Sequence, residues 1–134
     1  MSAVFENIVY KIYSSQMFLV MSWTIEFHED FDREFQGFDD RVQDEILAKL
    51  IVLEKEGPNL GRPHADTLNG SAHSNMKELR VSAAGGIWRI AFAFDPGRNA
   101  ILLAAGDKRG ANEDRFYRDL IRLADSRFAG HLAT

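Results

Sequence analysis

Three cations and one aromatic hydroxyl lie between residues 76 and 117, in a spacing that suits chemistry on a phosphodiester. They are Arg80 and Arg89 on predicted strands, Lys108 after the last of these strands, and Tyr117 at the start of a helix. A guanidinium donates two parallel hydrogen bonds to phosphate oxygens, and lysine or tyrosine transfers protons when charged neighbours shift its pKa. These types suit metal-free RNA cleavage, in which a 2′-hydroxyl attacks the phosphate.

Each of these four residues also has a plain structural interpretation. A strand arginine can pair with a nearby acid, a lysine in a turn is routinely exposed, and a tyrosine can pack in the core with its hydroxyl at the surface. The chemical interpretation gains weight only if the four side chains converge, because chance convergence of three cations is electrostatically unfavourable.

Charge is divided unevenly along the 134 residues, whose net charge is −4. Residues 58–122 carry ten basic and seven acidic side chains, whereas residues 24–57 carry four basic and eleven acidic ones. This split indicates a basic working face and an acidic supporting element, although a merely solvated acidic helix explains it equally well. The chain has no cysteine and no histidine pair at metal-binding spacing, so we predict no disulfide, metal or cofactor.

The predicted elements form a single domain over residues 21–134, preceded by an atypical extension over residues 1–20. The extension is apolar but interrupted by charges, so it resembles neither a signal peptide nor a membrane span. We expect either a misassigned start or an edge element that packs on the core, and no association with membranes.

Within the domain, alternation predicts a strand over Trp23–Phe27, and residues 28–36 read as a short helix or turn. A helix capped by Asp39 or Asp40 runs to Glu56, because its apolar side chains recur at helical spacing. A long loop is expected over residues 59–75. Three antiparallel strands follow, joined by short turns, and then a helix capped by Asn112.

The predicted sheet has one core face and one working face. Continuous apolar character over residues 100–105 predicts a central strand covered on both faces. Arg80 and Arg89 leave their strands away from the core residues, with Arg89 beside Ala91 and Ala93. We expect all helices on one face, which leaves the arginine face concave and only partly covered. Lys77 points to the other face unless a bulge redirects it.

The segments KELR, WRIAFAFDP and GDK, taken together, resemble the phage-related HigB-like branch of the RelE/ParE superfamily of type II toxins. The resemblance covers residues 23–132. It implies an α+β, microbial RNase-type fold, with a small antiparallel sheet on which N-terminal helices and a C-terminal helix pack. It also implies an mRNA endoribonuclease, in many members acting within the ribosome, a cytoplasmic location, and neutralisation by a cognate helix-turn-helix antitoxin.

Carried onto this chain, the resemblance makes Arg89 the residue that contacts the scissile phosphate. Lys108, Tyr117 (less favourably Phe116) and Arg80 complete the predicted catalytic set. The residues predicted to guide substrate are Arg62, Lys77, Arg109 and Arg115. Met76 and Glu78 depart from the pattern, because RelE-type enzymes carry lysines at these places.

Two other functions stay open. ParE-like relatives share the fold but bind and inhibit DNA gyrase, and the missing strand lysines favour that function. A degenerate toxin that only binds its antitoxin is the third. We also leave open whether the protein forms a homodimer.

Overall fold

A five-stranded mixed sheet with helices on both faces forms the body of the protein, as seen in a computed structural model that describes residues 23–134. The elements, in chain order, are β1 (Thr24–Phe27), α1 (Glu29–Gln36), α2 (Asp40–Glu56), a 3₁₀ turn (Gly57–Asn59), β2 (Ala65–Thr67), β3 (Met76–Ala83), β4 (Gly86–Phe94), β5 (Asn99–Asp107) and α3 (Glu113–Leu132). The predicted extension over residues 1–20 lies outside the described residues.

The strands lie in the order β1-β5-β4-β3-β2. The predicted antiparallel arrangement of β3, β4 and β5 is confirmed, and β1 adds a parallel edge beside β5. The prediction of an unbroken loop over residues 59–75 is wrong, because β2 pairs antiparallel with β3 inside it. Three residues are too few to show the alternation that reveals a strand in sequence.

Helices α1 and α2 cover one face of the sheet, where Phe31, Phe35 and Leu50 are fully buried with the inward residues of β1, β4 and β5. Both N-termini are capped by side chains. His28 Nδ1 accepts a hydrogen bond from the amide of residue 30 at 3.0 Å, and Asp39 accepts one from the amide of residue 41 at 2.8 Å. The predicted capping role of Asp39 is therefore confirmed.

Helix α3 covers the opposite face, so the prediction that all helices share one face is wrong. Leu120, Ala124 and Phe128 pack there against Ala91 and Ala93 of β4. The two alanines leave the space that a helix needs to approach the sheet closely. Their small size therefore allows α3 to cover part of the arginine face.

The central position of β5 is confirmed, because its apolar run is buried on both faces. The register with β4 shifts by one residue, so that Leu103 has no opposite partner while Leu102 and Ala104 do. This bulge places Leu103 and Ala104 together on the α3 face, where both are fully buried.

Among residues 23–134, no helix is both long enough and apolar enough to cross a membrane.

Gly57 ends α2 at a backbone φ of 55°, and its position is crowded by Trp23. A β-carbon added there would lie 2.3 Å from the indole ring, whereas one added at Gly61 would meet nothing within 4 Å. We expect Gly57→Ala to lower the free energy of unfolding by about 3 kcal/mol, because it combines a disfavoured backbone conformation with overpacking. Urea denaturation measures this, with Gly61→Ala as the matched control. Equal stability of the two variants would contradict the packing at Trp23.

Candidate active site

Arg80 and Arg89 lie directly opposite each other on β3 and β4, on the face that α3 partly covers. Like charges in this cross-strand position repel, so the pair requires a counter-ion. Glu78 provides it from two residues earlier on β3. Its Oε1 atom is 3.1 Å from Arg80 Nε and 3.9 Å from Arg89 Nε, and the side chain is only 4% exposed. The acid that departs from the lysine pattern therefore holds the two arginines side by side.

Tyr117 reaches this cluster from the first turns of α3. Its neighbour Phe116 packs directly on Gly106, where an added β-carbon would lie 2.8 Å from the ring. Burial raises the pKa of the Tyr117 hydroxyl above its ordinary value, and the Glu78 carboxylate raises it further, while Arg89 opposes the shift. The hydroxyl is therefore protonated at neutral pH and able to donate a proton.

Lys108 lies beside the same tyrosine. Its Nζ is 5.6 Å from the centre of the Tyr117 ring and 3.2 Å from a carboxylate oxygen of Glu113. The Lys108 amide donates to the carbonyl of Ile87 at 2.7 Å, which anchors the turn after β5. The four residues predicted as catalytic are thus brought together.

A cleft of about 330 Å³ opens between β2, β3 and the start of α3. It is lined by Asp66, Thr67, Leu68, Asn69, Glu78, Arg80, Glu113 and Tyr117. Two buried polar atoms at the base of the site, Glu78 Oε2 and Arg89 Nε, have no hydrogen-bond partner within the described part of the chain. The cleft thus joins an acidic and a basic group to a protonated phenol.

Asp66 on β2 was not foreseen as part of the site, because its strand was expected to be loop. Its Oδ2 atom accepts from Arg62 at 2.7 Å and from Arg80 at 3.0 Å. The hydrogen bond from Arg62 lowers the pKa of this carboxyl most, and a hydrogen bond from a backbone amide lowers it further, so the pKa lies below its usual range. The i, i+4 spacing of Arg62 and Asp66 is the one sequence signal that could have indicated the pair.

The remaining predicted substrate residues lie elsewhere. Arg109 donates to the carbonyl of Gly85 at 2.6 Å, at the end of the β3–β4 hairpin. Arg115 is exposed on the first turn of α3, outside the cleft lining. Lys77 stays on the other face of β3, because the pairing of β3 with β4 shows no bulge near it. None of this predicted set lines the cleft, although Arg62 pairs with Asp66, which does.

The cations of the site are largely neutralised within the protein. Arg62, Arg80, Arg89 and Lys108 are arranged around Asp66, Glu78 and Glu113. The local balance is one positive charge, so a phosphate that enters must compete with carboxylates already in place. This arrangement lowers electrostatic attraction at long range and leaves recognition to close contacts.

Residues 33–129 match the family described as Phage derived protein Gp49-like (DUF891). The chain belongs to this family. It is 46% identical over 114 residues to the candidate toxin HigB2 of Mycobacterium tuberculosis, which covers 84% of this chain and 56% of that protein. It is 51% identical over 89 residues to the candidate toxin HigB3 of the same organism, covering 66% of this chain and 75% of that one. The chain spans little more than half the length of the first relative.

Two solved structures share the fold of this Gp49-like chain. A double arginine mutant of the E. coli toxin RelE in the free state superposes with a TM-score of 0.55 at 14% identity, covering 80% of this chain and 98% of RelE. An archaeal RelE–RelB complex from Pyrococcus horikoshii gives 0.50 at 15% identity, covering 68% and 100%. The predicted relationship to HigB-like toxins and the RelE-like α+β fold are confirmed.

Removal of the Glu78 charge should leave the repulsion between Arg80 and Arg89 uncompensated and destabilise the fold. We expect Glu78→Gln, which preserves shape, to lower the free energy of unfolding by about 3 kcal/mol, because it leaves a largely buried arginine without its counter-ion. Glu113→Gln removes an acid that is 67% exposed and should change stability by no more than about 0.5 kcal/mol. Urea denaturation of both variants measures the difference, and a neutral effect of Glu78→Gln would contradict the counter-ion role.

Tyr117 should titrate later than a free tyrosine. Its folded pKa lies above the unfolded value of about 10, so the stability gained by burying the neutral phenol is complete below that pH and is lost as the pH rises through the folded pKa. In a pH titration, the phenolate absorbance of the native protein should therefore include a rise at a pH above the ordinary tyrosine pKa. The Tyr117→Phe variant should lack this rise. If the difference between the two titration curves has its midpoint at or below the ordinary tyrosine pKa, this assignment is contradicted.

Proposed function

We propose that this chain is the toxin of a type II toxin–antitoxin system, and that it cleaves mRNA as a metal-independent endoribonuclease in the ribosome. The observation that carries the proposal is that Arg80, Arg89, Lys108 and Tyr117 lie in one cluster, of which Arg80 and Tyr117 line the cleft. The membership of this chain in the Gp49-like family, with relatives named as HigB toxins, supports the same function.

The proposed reaction gives the clustered residues distinct roles. Arg89 and Arg80 bind the oxygens of the scissile phosphate and stabilise the charge that grows on them. The 2′-oxygen forms a bond to phosphorus while the bond from phosphorus to the 5′-oxygen breaks, which leaves a cyclic phosphate. Tyr117, protonated at neutral pH, gives its proton to the leaving 5′-oxygen, and Lys108 stabilises the resulting phenolate. The cleft carboxylates Asp66 and Glu78 are the groups able to accept the 2′-hydroxyl proton.

An antitoxin is the proposed protein partner. The solved complex of RelE with RelB, which contains a chain of this fold, supports a toxin that is bound by a second chain. We propose that the partner here is a helix-turn-helix protein and that both act in the cytoplasm.

A specific observation favours a non-catalytic alternative. Met76 is fully buried and Glu78 is bound to arginine, so neither position presents the cation found in RelE-type enzymes. A chain of this fold that binds gyrase, or only an antitoxin, needs no proton-transfer groups. The alternative therefore predicts toxicity without RNA cleavage, or no toxicity.

The test is inducible expression of the full chain with mapping of transcript 5′ ends. The wild type should stop growth and generate new 5′ ends within coding regions. Arg89→Ala should reduce cleavage by about 10²- to 10³-fold, as for loss of one preorganised donor. Tyr117→Phe should reduce it by at least about 10²-fold, as for loss of a general acid.

Arg118→Ala is the matched control, because Arg118 is exposed on the same helix outside the cleft lining. It should leave growth arrest and cleavage unchanged. Growth arrest with intact transcripts would overturn the nuclease and favour the gyrase-binding alternative, and absence of growth arrest would favour the antitoxin-binding one. Full cleavage by Arg89→Ala would overturn the catalytic role of Arg89.

A further inference from the structure

A second cleft, of about 520 Å³, lies at the open edge of β3. Strand β2 pairs with β3 only as far as Leu79, and the amide of Arg80 donates to the carbonyl of His64 at 2.9 Å. Beyond that point no described strand lies beside β3 on this side. The cleft fills the gap and extends from α2 to the arginine face.

Lys49 of α2 and His64 meet inside this second cleft, with Lys49 Nζ 2.9 Å from His64 Nδ1. An ammonium can only donate, so Nδ1 accepts and the proton of the neutral ring resides on Nε2. The Lys49 ammonium and the His64 Nε2–H group are both hydrogen-bond donors, so they suit an anionic ligand rather than a cation.

The second cleft also holds the least neutralised cations near the site. Among the described residues, Lys49 has no carboxylate within ion-pair distance, and the nearest one to Arg89 is 3.9 Å away. Arg80 and Lys108, by contrast, each have a carboxylate oxygen within 3.2 Å. Lys49 and Arg89 line the same cleft, and Glu45 is the one carboxylate that the described residues contribute to its lining. An anion there would compete with fewer carboxylates than in the Tyr117 cleft, which is lined by Asp66, Glu78 and Glu113.

Arg80 connects the two clefts, since its side chain lines both. A polyanion with regularly spaced charges could therefore bind in the Tyr117 cleft and continue around the edge of β3 to Lys49. Single-stranded RNA has this character, because each nucleotide carries one phosphate on a flexible backbone.

We propose that Lys49 and His64, with Arg89, form a second phosphate subsite, which binds a backbone phosphate next to the scissile one. This inference rests on the proposed function, and it adds a binding site that the convergence of the four predicted residues does not include. Lys49 supplies a point charge, while His64 donates from Nε2, and neither takes part in the bond changes.

Binding of an uncleavable RNA measures the subsite directly. A labelled 2′-O-methyl oligoribonucleotide lacks the attacking hydroxyl, so fluorescence anisotropy with the full chain reports affinity alone across a salt series. Each phosphate contact to single-stranded RNA contributes about 0.7 to the slope of log affinity against log salt. Lys49→Gln should reduce the slope by about 0.7 and weaken binding about three- to tenfold at low salt. Lys49→Arg should retain the slope.

Lys55→Gln is the matched control, since it removes an exposed lysine from the same helix outside both clefts and should leave the slope unchanged. His64→Gln provides an independent variant and should weaken binding with little change in slope. An unchanged slope for Lys49→Gln, or no binding of the oligonucleotide by the wild type, would overturn the subsite. Transcript mapping with the wild type and Tyr117→Phe decides the proposed nuclease separately, because Tyr117 does not line the second cleft, so the two failures are distinguishable.

Discussion

The site depends on one buried carboxylate. Register places Arg80 and Arg89 opposite each other, and without an acid between them the two strands would carry adjacent like charges under a helix. Glu78 resolves this conflict from the same face of β3, and its own burial is tolerated because two guanidiniums surround it. The same carboxylate also raises the pKa of Tyr117. Glu78 therefore sets the geometry of the arginine pair, and it adds to the effect of burial, which is the larger cause of the raised pKa of Tyr117.

Packing of α3 on this same face of the sheet positions the phenol. Ala91 and Ala93 let α3 lie close to β4, and the bulge in β5 adds Leu103 and Ala104 to the surface that the helix covers. At the far end Arg127 fastens the helix, with 2.7 Å to Glu34 of α1 and 2.8 Å to the carbonyl of Leu103. Because the helix packs against the sheet and is bound at its far end, its first turns hold Tyr117 beside the arginines.

Internal pairing has a consequence for recognition. An acidic chain whose site cations are already matched by carboxylates attracts polyanions weakly at a distance. Selectivity for RNA must then come from close contacts in which phosphates replace the carboxylates around the cations. Such contacts favour RNA that is already held in a fixed position over RNA that diffuses freely. This property is compatible with the proposed action on mRNA held in the ribosome.

The sequence by itself determined the elements whose signals are local. Periodicity identified α2 and the meander of β3 to β5, Asp39 and Asn112 marked two helix starts, and the type and spacing of Arg80, Arg89, Lys108 and Tyr117 indicated one site. Tertiary structure decided what depends on partners distant in the chain. The strand β2 exists only through its pairing with β3, the side on which α3 packs follows from the space above two alanines, and Glu78 becomes a counter-ion only when register brings Arg89 beside Arg80. Alternation assigns a side chain to a face, but the neighbour it meets there is set by register and packing.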